Sequence, residues 1–183
     1  MPLPVSHKMY YLALLCPQEV DKKILQFKHW MRDHFDCTVA LKSPAHITLI
    51  PPFWQQEVKE TELVEALHLF TCDLPAISIT LSGFSHFGKK VLFAQVKENP
   101  AIEELKNRVE DHFIRVFGKT IKRDARVFHP HVTISSRDVK PPDFDKAWDY
   151  FSEKELTISF TTHSISLLKL NAGNWHVIHK HNW

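Results

Sequence analysis

Two short stretches decide how this sequence reads: Pro44-Ala45-His46-Ile47-Thr48-Leu49 and Phe128-His129-Pro130-His131-Val132-Thr133-Ile134. Each is an apolar, partly β-branched run broken by one histidine and one threonine two places apart. Such runs favour strands, and side chains two apart in a strand share a face. His46 and Thr48 therefore point one way while Ile47 and Leu49 point the other. His131 and Thr133 stand likewise against Val132 and Ile134. Each strand presents an imidazole and a hydroxyl on one surface, with apolar residues anchoring it from behind.

Working outward from the first motif, residues 10–15 read as a buried strand. Pro17 suits the first turn of a helix, in which Val20, Ile24, Phe27 and Met31 recur at helical spacing as far as Phe35. Residues 45–50 form a short strand that Pro51 and Pro52 close, because proline cannot continue a central ladder. Thr61 is placed to cap a second helix carrying Leu63, Leu67 and Phe70. Residues 77–82 and 91–96 alternate around a Gly-containing loop and predict a hairpin.

Around the second motif the order repeats. Asn99 and Pro100 supply a cap and a first turn, Ile102, Leu105, Val109, Phe113 and Val116 an apolar stripe, and Gly118 a stop. The strand at 131–135 is followed by Pro141 and Pro142, and by a helix that Asp143 caps and that bears Phe144, Ala147, Trp148 and Phe151. Strands are predicted at 156–160, 164–170 and 175–179, the last two joined by an Asn171-Ala172-Gly173-Asn174 turn. Each half thus runs helix, His-x-Thr strand, Pro-Pro, helix, strands, a duplication carried by order and punctuation more than by residue identity. The expected fold is α+β: one domain over residues 1–183, made of two pseudo-symmetric lobes, with two mainly antiparallel sheets flanked by helices around a central cleft.

Composition narrows the function classes. A net charge of +2 over 183 residues leaves no electrostatic footprint for general DNA binding. The 13 histidines stand out more, since His is the side chain poised to move protons near neutral pH. The three cysteines, Cys16, Cys37 and Cys72, are odd in number and without a CxxC, which fits a reducing cytoplasm. The apolar run at 9–16 lacks a basic leader and a small-residue cleavage site, and no stretch reaches membrane-spanning length. The four glycines are not clustered, so there is no phosphate-cradling loop. His176, His179 and His181 have no carboxylate or cysteine partner at metal-ligand spacing, and a chance cluster is the better reading.

If the halves are related by a pseudo-two-fold, the two His-x-Thr pairs face each other across the cleft. In-line displacement at phosphorus needs a base on the attacking oxygen and an acid on the leaving oxygen. Two histidines fill both roles, each positioned proton transfer contributing roughly 10²–10⁴-fold. The hydroxyls of Thr48 and Thr133 can donate to the non-bridging oxygens. This chemistry requires neither a metal nor a cofactor.

The two motifs, together with Gly83-Phe84, Val91-Leu92-Phe93 and the helical segment 102–117, resemble the 2H phosphoesterase superfamily, the 2′-5′ RNA ligase and RNA 2′,3′-cyclic phosphodiesterase group. The resemblance covers most of the chain, but only the two His motifs are specific. It implies a bilobal, metal-independent hydrolase with His46 and His131 as the acid–base pair and Thr48 and Thr133 as phosphate holders. It also implies substrates that are RNA ends or small nucleotides carrying a 2′,3′-cyclic phosphate or a 2′-5′ linkage. Ile50-Pro51-Pro52-Phe53 departs from the family's usual sequel to the first motif, and Ser136 stands where members often carry Arg. Strand alternation places Arg137 on the face of His131 and Thr133 instead. Arg126, Phe87 and Phe84 are further candidates for substrate contact, and Trp54 a weaker one. A cytoplasmic monomer is expected, acting on RNA or nucleotides and not on DNA or a membrane. The alternative is a non-catalytic nucleotide- or RNA-binding module that uses the same cleft.

Overall fold

The computed structural model describes residues 6–123 and 125–183. The chain runs β1 (His7–Leu15), α1 (Gln18–Phe35), β2 (His46–Gln56), α2 (Glu60–His68), β3 (Ile77–Phe87), β4 (Val91–Val96), α3 (Pro100–Phe117), β5 (His131–Ser136), α4 (Pro141–Ser152), β6 (Thr157–Thr162), β7 (Ser164–Asn171) and β8 (Asn174–Asn182). The strands form two four-stranded sheets, ordered β2-β1-β7-β8 and β5-β4-β3-β6. All the pairings are antiparallel.

The helices form where apolar residues recur on one face and the ends are closed locally. Val20, Ile24 and Met31 bury the stripe of α1, with Glu19 and Asp21 in its first turn facing the positive end of the helix dipole. In α3 the side chain of Asn99 accepts from the amide of Ala101, and Ile102, Leu105, Val109 and Phe113 are fully buried. Gly118 ends that helix at φ 55, a conformation that is cheap for glycine. Val116, expected in the stripe, is 52% exposed; the last turn buries Phe117 against the core instead.

Four expectations about boundaries are corrected. Pro51 and Pro52 do not close β2, which runs on to Gln56. The strand lies at the edge of its sheet, and its pairing with β1 slips between Leu12↔Ile50 and Tyr10↔Phe53, so the prolines occupy an irregularity where missing donors cost little. Pro141 and Pro142 open α4, at the helix positions whose N–H groups are unbonded in any case, which leaves Asp143 inside the first turn and Lys140 at the cap. Pro17 is the cap residue of α1 and not its first turn. Thr61 lies within α2, which a short 3-10 turn at Glu57–Lys59 leads into, and the helix ends before Phe70.

The repeat is clearer in topology than in sequence. β1 and β2 pair around α1, and β4 and β5 pair around α3, so each His-x-Thr strand becomes the outer strand of its sheet. After α2 the chain crosses to lay down β3 and β4 in the second sheet, and β7 and β8 return to the first, so neither sheet belongs to one half of the sequence. The two outer strands, β2 and β5, touch each other; α1 packs on β5 and α3 on β2. One large apolar cluster takes residues from both sheets and all four helices, among them Leu12, Ile24, Leu67, Ile79, Phe113, Ile134 and Phe151. On the opposite face of the first sheet, among the described residues, Tyr11, Ala13 and Leu168 form a second, small cluster, flanked by Leu15 and Trp175.

Phe84 belongs to the large core. Its ring meets Phe27 edge-on at 5.1 Å and Phe151 at 5.0 Å. Phe84→Ala is expected to cost roughly 3–5 kcal/mol of folding free energy, read from a denaturant midpoint. Phe87→Ala, at a ring 39% exposed, is expected to cost far less; equal losses at both positions would count against this division of roles.

Candidate active site

The strand pair β1–β2 sets His46 and Thr48 on the face opposite the fully buried Ile47 and Leu49, and β5 does the same for His131 and Thr133 against Val132 and Ile134. Both imidazoles are then fixed in the same way. His46 Nδ1 lies 2.7 Å from the carbonyl of Pro44, and His131 Nδ1 lies 2.6 Å from the carbonyl of His129. A carbonyl only accepts, so each Nδ1 carries its proton and donates, and each Nε2 is left for chemistry. Tyr11 backs His46 with rings 4.9 Å apart and its hydroxyl 3.5 Å from Nδ1. Phe93 and Phe87 flank His131 at 4.9 and 5.1 Å.

The loop before His46 is held from α1. Lys28, buried, donates to the Ser43 carbonyl at 2.9 Å, and Asp21 accepts from the Ala45 amide at 2.6 Å. Burial lowers Lys28 to about 8, with Asp21 opposing the shift. Burial also lowers His46 from the usual 6.5 to about 4. The Pro44 carbonyl opposes this by favouring the protonated ring, while Lys28 and His131 add to the depression. His131 is lowered too, chiefly by burial and further by His129, against the pull of the His129 carbonyl.

A cavity of about 670 Å³ opens beside the pair. Thr48, His131, Thr133, Phe87 and Arg126 all line it, so five of the candidates come together. His46 stands apart from that wall, two residues along the strand from Thr48, and close enough to His131 for a charge there to disfavour its own protonation. Three candidates fall elsewhere. Phe84 is in the core, Trp54 is 59% exposed and outside the lining, and Arg137 is exposed at φ 50 beyond the end of β5. The cause of the last is a register shift of β5 against β4, between the pairs Phe93↔Thr133 and Leu92↔Ser135. It buries both Ile134 and Ser135, so Ser136 and not Arg137 reaches the cavity.

Sequence reasoning missed several contributors. Pro51 and Pro52, read as a terminator, form part of the cavity wall, and so does Lys106, which stands beside the apolar stripe of α3. Tyr11 was legible by alternation from Tyr10 and Leu12, but its neighbour His46 was not. Arg123 binds Glu110 at 3.2 Å and also Asp111. Among the described residues no three His, Cys, Asp or Glu side chains converge as a metal site. His181 donates from Nε2 to the Phe70 carbonyl at 2.7 Å instead. No helix among the described residues is long and apolar enough to cross a membrane.

Two antiparallel sheets meeting along a pair of His-x-Thr strands are the architecture of the 2H phosphoesterases. The profile of the 2′-5′ RNA ligase superfamily matches residues 17–174, and the chain belongs to that superfamily. A curated "Putative phosphoesterase" of Geobacillus sp. strain WCH70 is 27% identical over 159 residues, 85% of this chain and 87% of the relative. Another, from Geobacillus thermodenitrificans strain NG80-2, is 27% identical over 172 residues, 92% and 93% of the two chains. In fold, the chain is similar to TT0787 of Thermus thermophilus (TM-score 0.65, 16% identity, 94% and 96% covered). It is also similar to E. coli LigT solved with 3′-AMP (TM-score 0.64, 19% identity, 96% and 97% covered).

The depressed His46 has a consequence for stability. Its folded-state value, about 4, lies below the unfolded 6.5, so the unfolded chain binds the extra proton between those values. Stability is therefore full above about 6.5 and falls as the pH drops towards 4, by up to roughly 1.4 kcal/mol per pH unit from this group. Thermal melts from pH 7 to 4.5 are expected to show a falling Tm whose slope is shallower in His46→Gln; parallel slopes would show that the acid sensitivity arises elsewhere.

Proposed function

We propose that the protein is a metal-independent phosphodiesterase that opens 2′,3′-cyclic phosphates, or cleaves 2′-5′ linkages, at the ends of RNA or on small nucleotides. The observation that carries this reading is the matched tether of the two imidazoles, Nδ1 to a carbonyl at 2.7 and 2.6 Å, which leaves two Nε2 atoms to work as a pair. His46, the lower-titrating ring at about 4, is the neutral base. It takes a proton from water as the water oxygen bonds to phosphorus. His131, in its imidazolium form, gives the Nε2 proton to the departing ribose oxygen, so the P–O bond breaks without a free alkoxide. Thr48 and Thr133 hydroxyls donate to the non-bridging oxygens. Ligation is the same path reversed, with a 5′-hydroxyl as nucleophile. The two lobes act as one domain, each supplying one histidine. Arg126 and Phe87 contact the substrate from the cavity wall.

Family membership and the nucleotide ligands named for LigT, 3′-AMP, ATP and NADP+, support a nucleotide substrate. The free thiols of Cys16, Cys37 and Cys72 suit a reducing cytoplasm. A purely binding module would need no paired acid and base, and both are intact here.

The test is turnover of nucleoside 2′,3′-cyclic monophosphates in excess EDTA, with product isomers resolved. A single isomer is expected, and His46→Ala and His131→Ala are each expected to lose at least about 100-fold in rate with the fold retained. Near-native turnover in either variant would remove that histidine from the mechanism; tight nucleotide binding without turnover would leave the binding module.

The pH profile is a second check. The base must be neutral and the acid protonated, so kcat/KM is expected to fall below about 4 and again above a value lower than 6.5. A maximum well above pH 7 would contradict the depressed histidines.

A further inference from the structure

Lys106 and Glu110 lie one turn apart on α3, with their side chains 8% and 0% exposed and Nζ to Oε2 at 3.0 Å. Their neighbours on that face are fully buried apolar residues, Leu105, Val109 and Phe113. An ion pair in such a place is a poor source of stability, because taking both charges out of water offsets what they gain from each other. Two further contacts set the surroundings of the pair. Glu110 is also held by Arg123 at 3.2 Å, so its charge stays compensated if Lys106 turns elsewhere. Lys106, whose Nζ lies 5.6 Å from the centre of the Phe128 ring, lines the same cavity as Thr48, His131 and Thr133. Lys106 and Arg126 line that cavity together with His131 and the two threonine hydroxyls, and among the described residues no carboxylate does.

The scissile phosphate already has its partners in the His-x-Thr pairs on β2 and β5, whereas Lys106 projects from α3. We propose that Lys106 is a specificity residue that binds a second phosphate of the substrate, one that is not cleaved, with Glu110 holding it in place until the ligand arrives. The preferred ligand is then a nucleotide with a phosphate beyond the reacting one, either a 5′-terminal phosphate or the next internucleotide phosphate. This rests on the reading of the cleft as a phosphate-ester site and adds to it a discrimination that binding alone can report.

The experiment measures dissociation constants for adenosine 3′-monophosphate, adenosine 3′,5′-bisphosphate and the dinucleotide ApAp by calorimetry, on the parent protein and on Lys106→Met. The parent is expected to bind the bisphosphate or the dinucleotide about tenfold tighter than the monophosphate, the size of one charge-assisted hydrogen bond. Which of the two gains identifies the terminal or the internucleotide phosphate. Lys106→Met is expected to erase the difference while leaving the monophosphate unchanged, and Lys106→Arg to keep it. If Lys106→Met does not fold, Lys106→Met with Glu110→Gln, which removes both buried charges, takes its place. Equal affinity for all three ligands in the parent, or an equal loss for all three in the variant, overturns the assignment of Lys106 but not the phosphodiesterase reading. Failure of the folded parent to bind any of them overturns both. Discrimination without cyclic phosphate turnover upholds Lys106 and leaves the chemistry to be reassigned.

Discussion

The tethering of each histidine to a carbonyl two residues upstream is the constraint on which the site depends. An imidazole free to turn offers either nitrogen and spends its time in many poses; one whose Nδ1–H is committed to Pro44 or His129 offers a single Nε2 in a single direction. The carbonyls must themselves be rigid. At the first motif, Lys28 and Asp21 grip residues 43 and 45, and the Ala45 carbonyl accepts from Cys16 at 2.9 Å. At the second, Pro130 biases the residue before it away from helical backbone, which limits the poses of the His129 carbonyl that holds His131 Nδ1. Residues of α1 thus fix the loop that holds His46 without touching its ring.

Around this constraint the two sheets share work. Each His-x-Thr strand is the outer strand of its sheet, and the outer strands meet, so the cleft lies where the sheets touch and not within either. The crossed packing of α1 on β5 and α3 on β2 ties the position of each histidine to the helix that precedes the other. Asp138, just past β5, accepts from the amides of Thr38 and Val39 at 2.6 and 2.7 Å, a further tie between the approach to the first motif and the exit from the second. Such crossed supports keep the two imidazoles in register better than independent lobes could.

What was legible in the sequence was what depends on neighbours along the chain. The alternation of Ile47 and Leu49 against His46 and Thr48, the Asn99 cap and the Gly118 stop all act within a few residues, and the structure has them as read. The family resemblance rests on the same two motifs. What was not legible depends on partners far away. Whether Pro51 and Pro52 end a strand or sit within one is decided by whether that strand is at an edge, which only the sheet order tells. Arg137 was misplaced because alternation assumes an unbroken ladder, and the slip between β4 and β5 breaks it just before that residue. Nothing along the chain marks Lys106, beside the apolar stripe of α3, for burial; its place against Glu110 and the cavity comes with the packing of α3 on β2.

The two prolines of β2 also govern what may join this edge. An outer strand is an open template, and two such strands side by side invite either fusion into one continuous sheet or capture of a passing peptide. Pro51 and Pro52 contribute carbonyls but no amide hydrogens, so the edge lacks a ladder donor at whichever of the two faces away from β1. The missing donor falls within the stretch of β2 that lines the cavity, so continuous strand pairing is weakened there while side chains of Thr48 and Leu49 remain on the wall.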